Sequence, residues 1–304
     1  MRVTTNMLNQ SLIGQIRHAQ ERLLERQDEV ATGARIRTPA DDPAGTARSL
    51  QARSVKRAVE QWSRNLDRAR GFAQATEATL AGLSEIATEA RVLASQAASE
   101  SYGADELAAF AAQIDGLLEE ALSEGNRSEG GVHLFAGTDT SRAPLTATRD
   151  GAGRIIGVER SSATAGEGDL QRLVDEQVLL TINTAGTDVF GEELEFFADL
   201  IALRDATATA DHAGVSELLS RIDADLERMT IAQAASGTLL NRIAGLEQAL
   251  DARLLAAETT RSELEDADVT AALVAYQQEQ TLLQAALSAA VQTMDMSLIN
   301  LMQK

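Results

Sequence analysis

The chain has 304 residues, no cysteine, only 3% aromatic residues and a formal net charge of −19. The lack of cysteine excludes disulfides, thiolate metal sites and a cysteine nucleophile, and so few aromatic side chains are untypical of a large enzyme core. The charge is unevenly spread, with a net +5 in residues 1–70 and −24 in the remainder. An acidic body repels phosphate groups and so disfavours nucleic acid as a partner. We expect the basic segment to contact an acidic part of the same protein.

The N-terminal region is predicted to form an amphipathic helix up to about residue 30. Ile16, Leu23 and Val30 are spaced by seven residues, which keeps one apolar stripe against a partner helix. The pattern ends at Gly33, a residue that suits a helix C-terminus.

A connector follows this helix. Two prolines and two adjacent aspartates prevent a continuous helix here. Asp41 or Asp42 is expected to cap the next helix, with Pro43 in its first turn. Arg35 and Arg37 are candidates for contacts to acidic neighbours. The connector residues of interest are Arg35, Arg37, Pro39, Asp41, Asp42 and Pro43.

From residue 44 to about residue 125 the pattern is helical, with a predicted break at 101–105. Glycines, turn residues and short apolar runs then dominate to about residue 190, and segments 154–158 and 178–183 are predicted strands. Helical periodicity resumes near Glu192 and continues, with a break around 210–214, almost to the end of the sequence.

The C-terminal half has the clearest heptad pattern. Its first stripe contains Leu239, Ile243, Leu246, Leu250, Ala257 and Leu264, and its phase shifts at 265–268. The second stripe includes Leu283, Leu287, Met294, Leu298 and Leu301. Terminal residues normally fray, so an apolar stripe there implies a covering partner. We expect this second stripe to pack against Ile16, Leu23 and Val30 in an assembled state.

These patterns predict a mainly α fold, a long antiparallel helical rod with coiled-coil-like pairing of the N- and C-terminal helices and a small β-rich insertion. The predicted segments are an N-terminal assembly helix (1–40), the first half of the rod (41–138), the β-rich insertion (139–191), the second half of the rod (192–264) and a C-terminal assembly helix (265–304). The sequence contains neither a stretch long and apolar enough to span a membrane nor the apolar core of a cleaved signal peptide, so neither feature is expected.

Several motifs resemble the flagellin superfamily. Residues 31–36 (ATGARI) and 39–45 (PADDPAG) are similar to its N-terminal signature. Other segments resemble the hook-associated protein 3 branch of that superfamily, namely 126–140 with Pro144, 185–190, 262–268, 280–287 and 297–301. The sequence departs from this branch at His133 and Leu145, where an aromatic residue is common.

The resemblance implies a structural subunit that joins the flagellar hook, through the other hook-associated protein, to the flagellin filament. It implies a ring of identical subunits, export in an unfolded state by the flagellar type III apparatus, and terminal helices that fold on assembly. It also implies a dedicated export chaperone at the C-terminal helix and an extracellular location in the flagellum. No catalytic residue, cofactor, metal, nucleic acid or membrane partner is expected.

Three other interpretations compete with this one. Flagellin shares the terminal helices, although it usually has alanines where this chain has Pro39 and Pro43. An enzyme would need a carboxylate pair such as Asp41 and Asp42, but adjacent aspartates beside a proline are typical of a turn or a helix cap. A cytosolic helical scaffold is compatible with the heptads, and only the family motifs argue against it.

Overall fold

The computed structural model describes the backbone of residues 5–302 and the side chains of Met7 and residues 10–292. The chain divides into two compact units. Unit 1 combines the two ends, up to Ala58 and from Arg253 onward, and unit 2 comprises Val59–Ala252. Two long helices, α2 (Pro43–Ala97) and α6 (His212–Glu265), contribute to both units.

Unit 1 also contains α1 (Thr5–Thr32) and α7 (Val269–Met302). The end of α1 is confirmed, because Gly33 adopts a φ of 67°, a conformation that glycine tolerates without steric cost. The predicted phase shift in the C-terminal heptads coincides with the break between α6 and α7. Asp268 caps α7, since its Oδ1 accepts hydrogen bonds from the N–H groups of Thr270 at 2.9 Å and Ala271 at 3.1 Å.

The helices of unit 1 pair in an antiparallel manner. α1 and α7 pack against each other, and Arg22 of α1 forms an ion pair with Glu279 of α7 at 3.2 Å. In the same unit, Lys56 of α2 pairs with Glu258 of α6. The basic N-terminal segment therefore contacts acidic residues from the other end of the same chain, as its charge predicts.

Unit 2 contains three further helices and six strands. The helices are α3 (Ala104–Gly125), α4 (Gly186–Phe190) and α5 (Glu195–Ala208). The strands are β1 (Ser128–Glu129), β2 (Val132–His133), β3 (Leu145–Arg149), β4 (Ile155–Arg160), β5 (Gln171–Asp175) and β6 (Val178–Thr181). They form three antiparallel two-stranded sheets, β1–β2, β3–β4 and β5–β6. The predicted strands correspond to β4 and β6, and the fold class, mainly α with small β elements, is confirmed.

Phenylalanine side chains form the centre of unit 2. Phe190 makes ring contacts with Phe135, Phe196 and Phe197 at centroid distances of 5.3, 6.4 and 5.2 Å, and all four rings are buried. The last residue of α3 is Gly125, and a Cβ there would lie 2.6 Å from Cδ1 of Leu145 and 3.3 Å from Cζ of Phe190, so a larger residue would have to displace these side chains. This cluster connects α4 and α5 to the end of α3.

Within residues 5–302, no helix is both long and apolar enough to cross a membrane.

Replacing the central ring of this cluster is expected to destabilise unit 2. Phe190→Ala should lower the free energy of unfolding by about 3–5 kcal/mol, because it leaves a cavity among three other rings. Urea titration followed by the fluorescence of Trp62, the one tryptophan of the sequence and a residue of unit 2, measures this loss. Leu179→Ala is the matched control, since Leu179 is 56% exposed, and its effect should stay within about 0.5 kcal/mol. Equal losses in both variants would contradict the assignment of this cluster as the core.

Candidate assembly interface

The connector between α1 and α2 is held by its two aspartates. Asp41 accepts hydrogen bonds from the backbone N–H groups of Arg37 at 3.0 Å and Thr38 at 2.8 Å, and these bonds lower the pKa of the Asp41 carboxyl. Asp42 caps α2, since its Oδ1 accepts the N–H of Gly45 at 2.8 Å and Pro43 occupies the first helical position. The aspartates therefore act as turn and cap residues, which confirms that expectation.

Backbone hydrogen bonds tie this connector to the link between α6 and α7. The N–H of Arg35 donates to the carbonyl of Glu265 at 2.7 Å, and the N–H of Ala267 donates to the carbonyl of Gly33 at 2.8 Å. Ala34 and Asp266 form the antiparallel bridge between the two segments. We call this pairing of residues 33–35 with residues 265–267 the clasp. It fixes the end of α1 against the end of α6.

The two arginines of the connector bind groups of the same chain. The guanidinium of Arg35 donates to the carbonyl of Leu264 at 2.6 Å and lies 3.6 Å from the carboxylate of Asp42. Arg37 forms an ion pair with Asp28 at 2.8 Å. Pro39 lies in the turn that Asp41 closes. Arg35 therefore lies in the clasp, and the other connector residues of interest follow it along the chain up to the start of α2.

Glu265 is the central side chain of the clasp. Its carboxylate accepts hydrogen bonds from Ser49, from Arg53 at 2.7 Å and from Arg261 at 3.2 Å, and its side chain is only 13% exposed. Burial acts to raise the pKa of this carboxyl, but the hydrogen bonds that it accepts outweigh burial and lower the pKa to about 2. Glu265 therefore stays ionised at neutral pH and holds α2 and α6 together beside the backbone pairing.

Glu265 was not among the candidate residues derived from the sequence. It lies in the segment 262–268 that carries the family resemblance, but its partners on α2 are more than two hundred residues away. Heptad spacing marks only apolar positions, so it gives no signal for a buried carboxylate. The resemblance alone pointed to this segment.

One face of α1 and one face of α7 meet in the helix pair. On α1, Ala19 is buried, and Ile16, Leu23 and Val30 are half-buried. On α7, Ala272 is buried and Leu283 is half-buried. The ion pair between Glu279 and Arg22 directs this side of α7 toward α1, because Glu279 is seven residues from Ala272 and four from Leu283, spacings that share a helix face.

A second apolar stripe on α7 is exposed. Leu273 and Leu287 are two heptads apart and share one side of the helix, and Val269 and Val291 lie one turn beyond either end. Their exposed fractions are 43% for Leu287 and 59% for Val291. Met294, Leu298 and Leu301 belong to the same predicted pattern, but their side chains lie outside the described residues.

Neutralising Glu265 is expected to loosen the clasp. Glu265→Gln keeps the side-chain size but removes the charge that three donors share, and hydrogen bonds to charged groups contribute about 1.5–3 kcal/mol. The amides of Arg35 and Ala267 should then exchange with solvent on the order of tenfold faster at neutral pH. Hydrogen exchange measured by NMR gives both rates.

The stabilisation of the clasp by Glu265 depends on pH because the pKa of this carboxyl is lowered in the folded chain. The stabilisation by Glu265 is fully present above its unfolded pKa of 4.5 and disappears as the pH falls through about 2. The variant should lack this acid-dependent loss of amide protection. Glu263→Gln, at an exposed position two residues earlier, is the control and should leave both rates unchanged. Unchanged protection in Glu265→Gln would show that the backbone pairing alone holds the clasp.

The chain is similar to known flagellar proteins. Residues 3–140 match the bacterial flagellin N-terminal helical region. Over 326 aligned residues the chain is 24% identical to flagellar hook-associated protein 3 of Escherichia coli, with 99% of each chain covered. It is 21% identical to flagellar hook-associated protein 3 of Salmonella typhimurium, again with 99% of each chain covered. Flagellin FlaB1 of Treponema pallidum is 26% identical over 84% of this chain and 83% of that protein.

Solved structures show the same fold. The crystal structure of flagellar hook-associated protein-3 from Legionella pneumophila aligns with a TM-score of 0.61 at 13% identity, covering 70% of this chain and 98% of that chain. The crystal structure of Bacillus cereus FlgL aligns with a TM-score of 0.58 at 19% identity, covering 70% of this chain and 99% of that chain. The relatives are structural proteins of the flagellum, which supports the expectation that this chain is not an enzyme. The chain thus carries a flagellin-type N-terminal helical region and resembles flagellar hook-associated protein 3 of the flagellin superfamily along its length.

Proposed function

We propose that this protein is a structural subunit of the bacterial flagellum that forms the junction between hook and filament. The observation that carries the proposal is the match to flagellar hook-associated protein 3 over 99% of both chains. In this proposal the subunits form a ring, with the other hook-associated protein on the hook side and flagellin on the filament side. The protein is then an extracellular component of the flagellum.

The two stripes of α7 have different roles in this proposal. The stripe that contains Leu283 packs on α1 within one subunit. The sequence predicts that Leu287 packs against α1 as well, but it is 43% exposed, and its stripe is proposed to pack on a neighbouring subunit instead. Fully burying a large aliphatic side chain contributes about 1.5–3 kcal/mol before ordering costs, whereas an exposed ion pair contributes about 0–1 kcal/mol. The exposed aliphatic stripe therefore dominates the contact between subunits. The packing of Met294, Leu298 and Leu301 against α1 stays a prediction, because their side chains lie outside the described residues.

The terminal helices are proposed to fold when the subunit joins the flagellum. A helix that lacks a partner is marginally stable in water. If the terminal helices fold only on binding, the free subunit does not present an ordered apolar surface before assembly. Export in an unfolded state by the flagellar type III apparatus requires the chain to unfold readily. An export chaperone that covers the apolar stripes of α7 would keep this segment from aggregating in the cell.

A charge in the exposed stripe tests its role in assembly. Leu287→Asp should leave unit 2 folded but prevent incorporation into flagella, because burying an unpaired carboxylate against a neighbour is costly. Incorporation is measured by immunoblotting sheared flagella from a strain that lacks its own copy of the gene. Gln278→Asp is the matched control, since it places the same charge at an exposed position on a different side of the same helix. Normal incorporation of Leu287→Asp would contradict the proposed interface.

Immunogold labelling of isolated hook–filament structures tests the location directly. Label confined to the boundary between hook and filament is expected for a junction subunit. Flagellin is the second candidate, favoured by the 26% identity to FlaB1 of Treponema pallidum, and it would give label along the whole filament. A deletion strain should keep its hooks and release flagellin into the medium. Continued polymerisation onto the hook in that strain would overturn the junction assignment.

A further inference from the structure

Unit 2 contains a carboxylate that is buried without hydrogen bonds. Asp225 lies on α6 and has no exposed surface, and neither of its carboxylate oxygens has a hydrogen-bond partner. The guanidinium of Arg228 lies 3.0 Å from its Oδ1, but Nη1 of Arg228 also has no hydrogen-bond partner. An ionised carboxylate in such a place is costly unless hydrogen bonds replace its water shell. The positive charge of Arg228 attracts the carboxylate but does not replace the hydrogen bonds of its water shell.

Further carboxylates from α5 add to this cost. Asp199 is 8% exposed, and burial raises the pKa of its carboxyl although Arg221 donates a hydrogen bond to it at 3.3 Å. Arg221 divides its charge between Asp199 and Glu217, which it contacts at 3.1 Å. Glu195, also on α5, acts on both Asp199 and Asp225 as a like charge.

The cation that could compensate Asp225 lies beside the link between α4 and α5. A Cβ on Gly191, in the link between α4 and α5, would lie 3.0 Å from Nη1 of Arg228 and would collide with the carboxylate of Glu195. The side chains of Arg228 and Glu195 therefore both lie close to the backbone of this link. Among the described residues, no group of three His, Cys, Asp or Glu side chains could hold a metal ion. A proton on Asp225 would remove one negative charge from this cluster.

We propose that Asp225 is a pH-sensitive element of the fold, which keeps its proton in the folded subunit and weakens the packing of α5 on α6 when it loses that proton. The proposal concerns unit 2 alone and does not depend on the location of the subunit in the flagellum. Its consequence is a subunit whose body is easier to unfold in a neutral or slightly alkaline compartment than in an acidic one.

The direction of the pH effect follows from the shift of the pKa. Burial, strengthened by Asp199 and Glu195 and opposed by Arg228, raises the pKa of Asp225 from 3.8 to about 7. The folded chain thus retains a proton that the unfolded chain has already released. The resulting stabilisation is present below about pH 4 and is lost as the pH rises through about 7, by up to about tenfold in the unfolding equilibrium constant for each pH unit.

Asp225→Asn tests the proposal because asparagine has the shape of the protonated acid and cannot ionise. The full chain is unfolded with urea at about pH 5.5 and about pH 8.5, with the fluorescence of Trp62 as the probe for unit 2. The wild-type unfolding constant, divided by that of the variant, should rise on the order of tenfold between the two pH values. Histidine titration is common to both proteins and cancels in this ratio.

Asp223→Asn is the matched control, because Asp223 lies on the same helix but is 53% exposed and pairs with Arg91. The same ratio for this control should be independent of pH. A pH-independent ratio for Asp225→Asn, or a variant less stable than wild type at the higher pH, would overturn the proposal. Should the variant not fold, the carboxyl carbon of Asp225 is followed by NMR in the wild-type protein. A titration midpoint near 7 supports the proposal, and a midpoint below about 5 overturns it.

Discussion

The clasp constrains the rest of unit 1 because it sets the register of the terminal helices. Ala34 lies opposite Asp266, and Arg22 lies opposite Glu279, so the sum of the paired residue numbers changes by only one along this length of the helix pair. Helices of equal rise keep the register with which they begin. A clasp in another register would move Glu279 away from Arg22. Local hydrogen bonds at the start of the pair thereby decide which side chains meet far from it.

Charge and apolar packing contribute differently to this arrangement. The ion pairs of unit 1 are mostly exposed at the surface and contribute about 0–1 kcal/mol each, so they favour one register more than they add stability. Glu265 differs because it is nearly buried and accepts three hydrogen bonds. Its cost of burial is offset by its donors, whereas Asp225 is buried without such donors. The two carboxylates therefore affect stability in opposite directions. The stabilisation by Glu265 is lost as the pH falls below about 4.5, whereas the stabilisation by Asp225 is lost as the pH rises to about 7.

The sequence predicts the helix ends better than it predicts long-range partners. Gly33, Asp42 and Pro43 act through neighbours in the sequence, so their roles as terminator, cap and first helical residue could be predicted. Strands β3 and β5 were missed because they contain threonine, arginine and aspartate and expose most of their side chains. Asp225 lies among other charged residues of α6, a pattern that normally indicates a solvated face. Only the packing of α5 on α6 distinguishes the buried Asp225 from the solvated charged residues around it.

The heptad pattern of α7 covers two adjacent apolar faces that spacing alone does not separate. Leu283 and Leu287 are one turn apart, and both fit an apolar stripe, yet only Leu283 lies on the face that Glu279 directs toward α1. Spacing alone cannot separate two adjacent apolar faces, because each satisfies the same steps of three and four residues. The structure separates them by exposure, because the face with Leu283 meets α1 and the face with Leu287 is exposed.

The aromatic residues are unevenly distributed between the two units. Eight of the nine aromatic residues lie in unit 2 and only Tyr276 lies in unit 1. Large rings bury the most apolar surface per residue, so unit 2 has a core of its own around Phe190. The facing positions of α1 and α7 are alanines and partly exposed aliphatic residues, which bury less surface than aromatic rings. A helix pair of this composition would gain further stability if other helices covered its exposed stripe, which is the physical basis of the proposal that the chain ends fold on assembly.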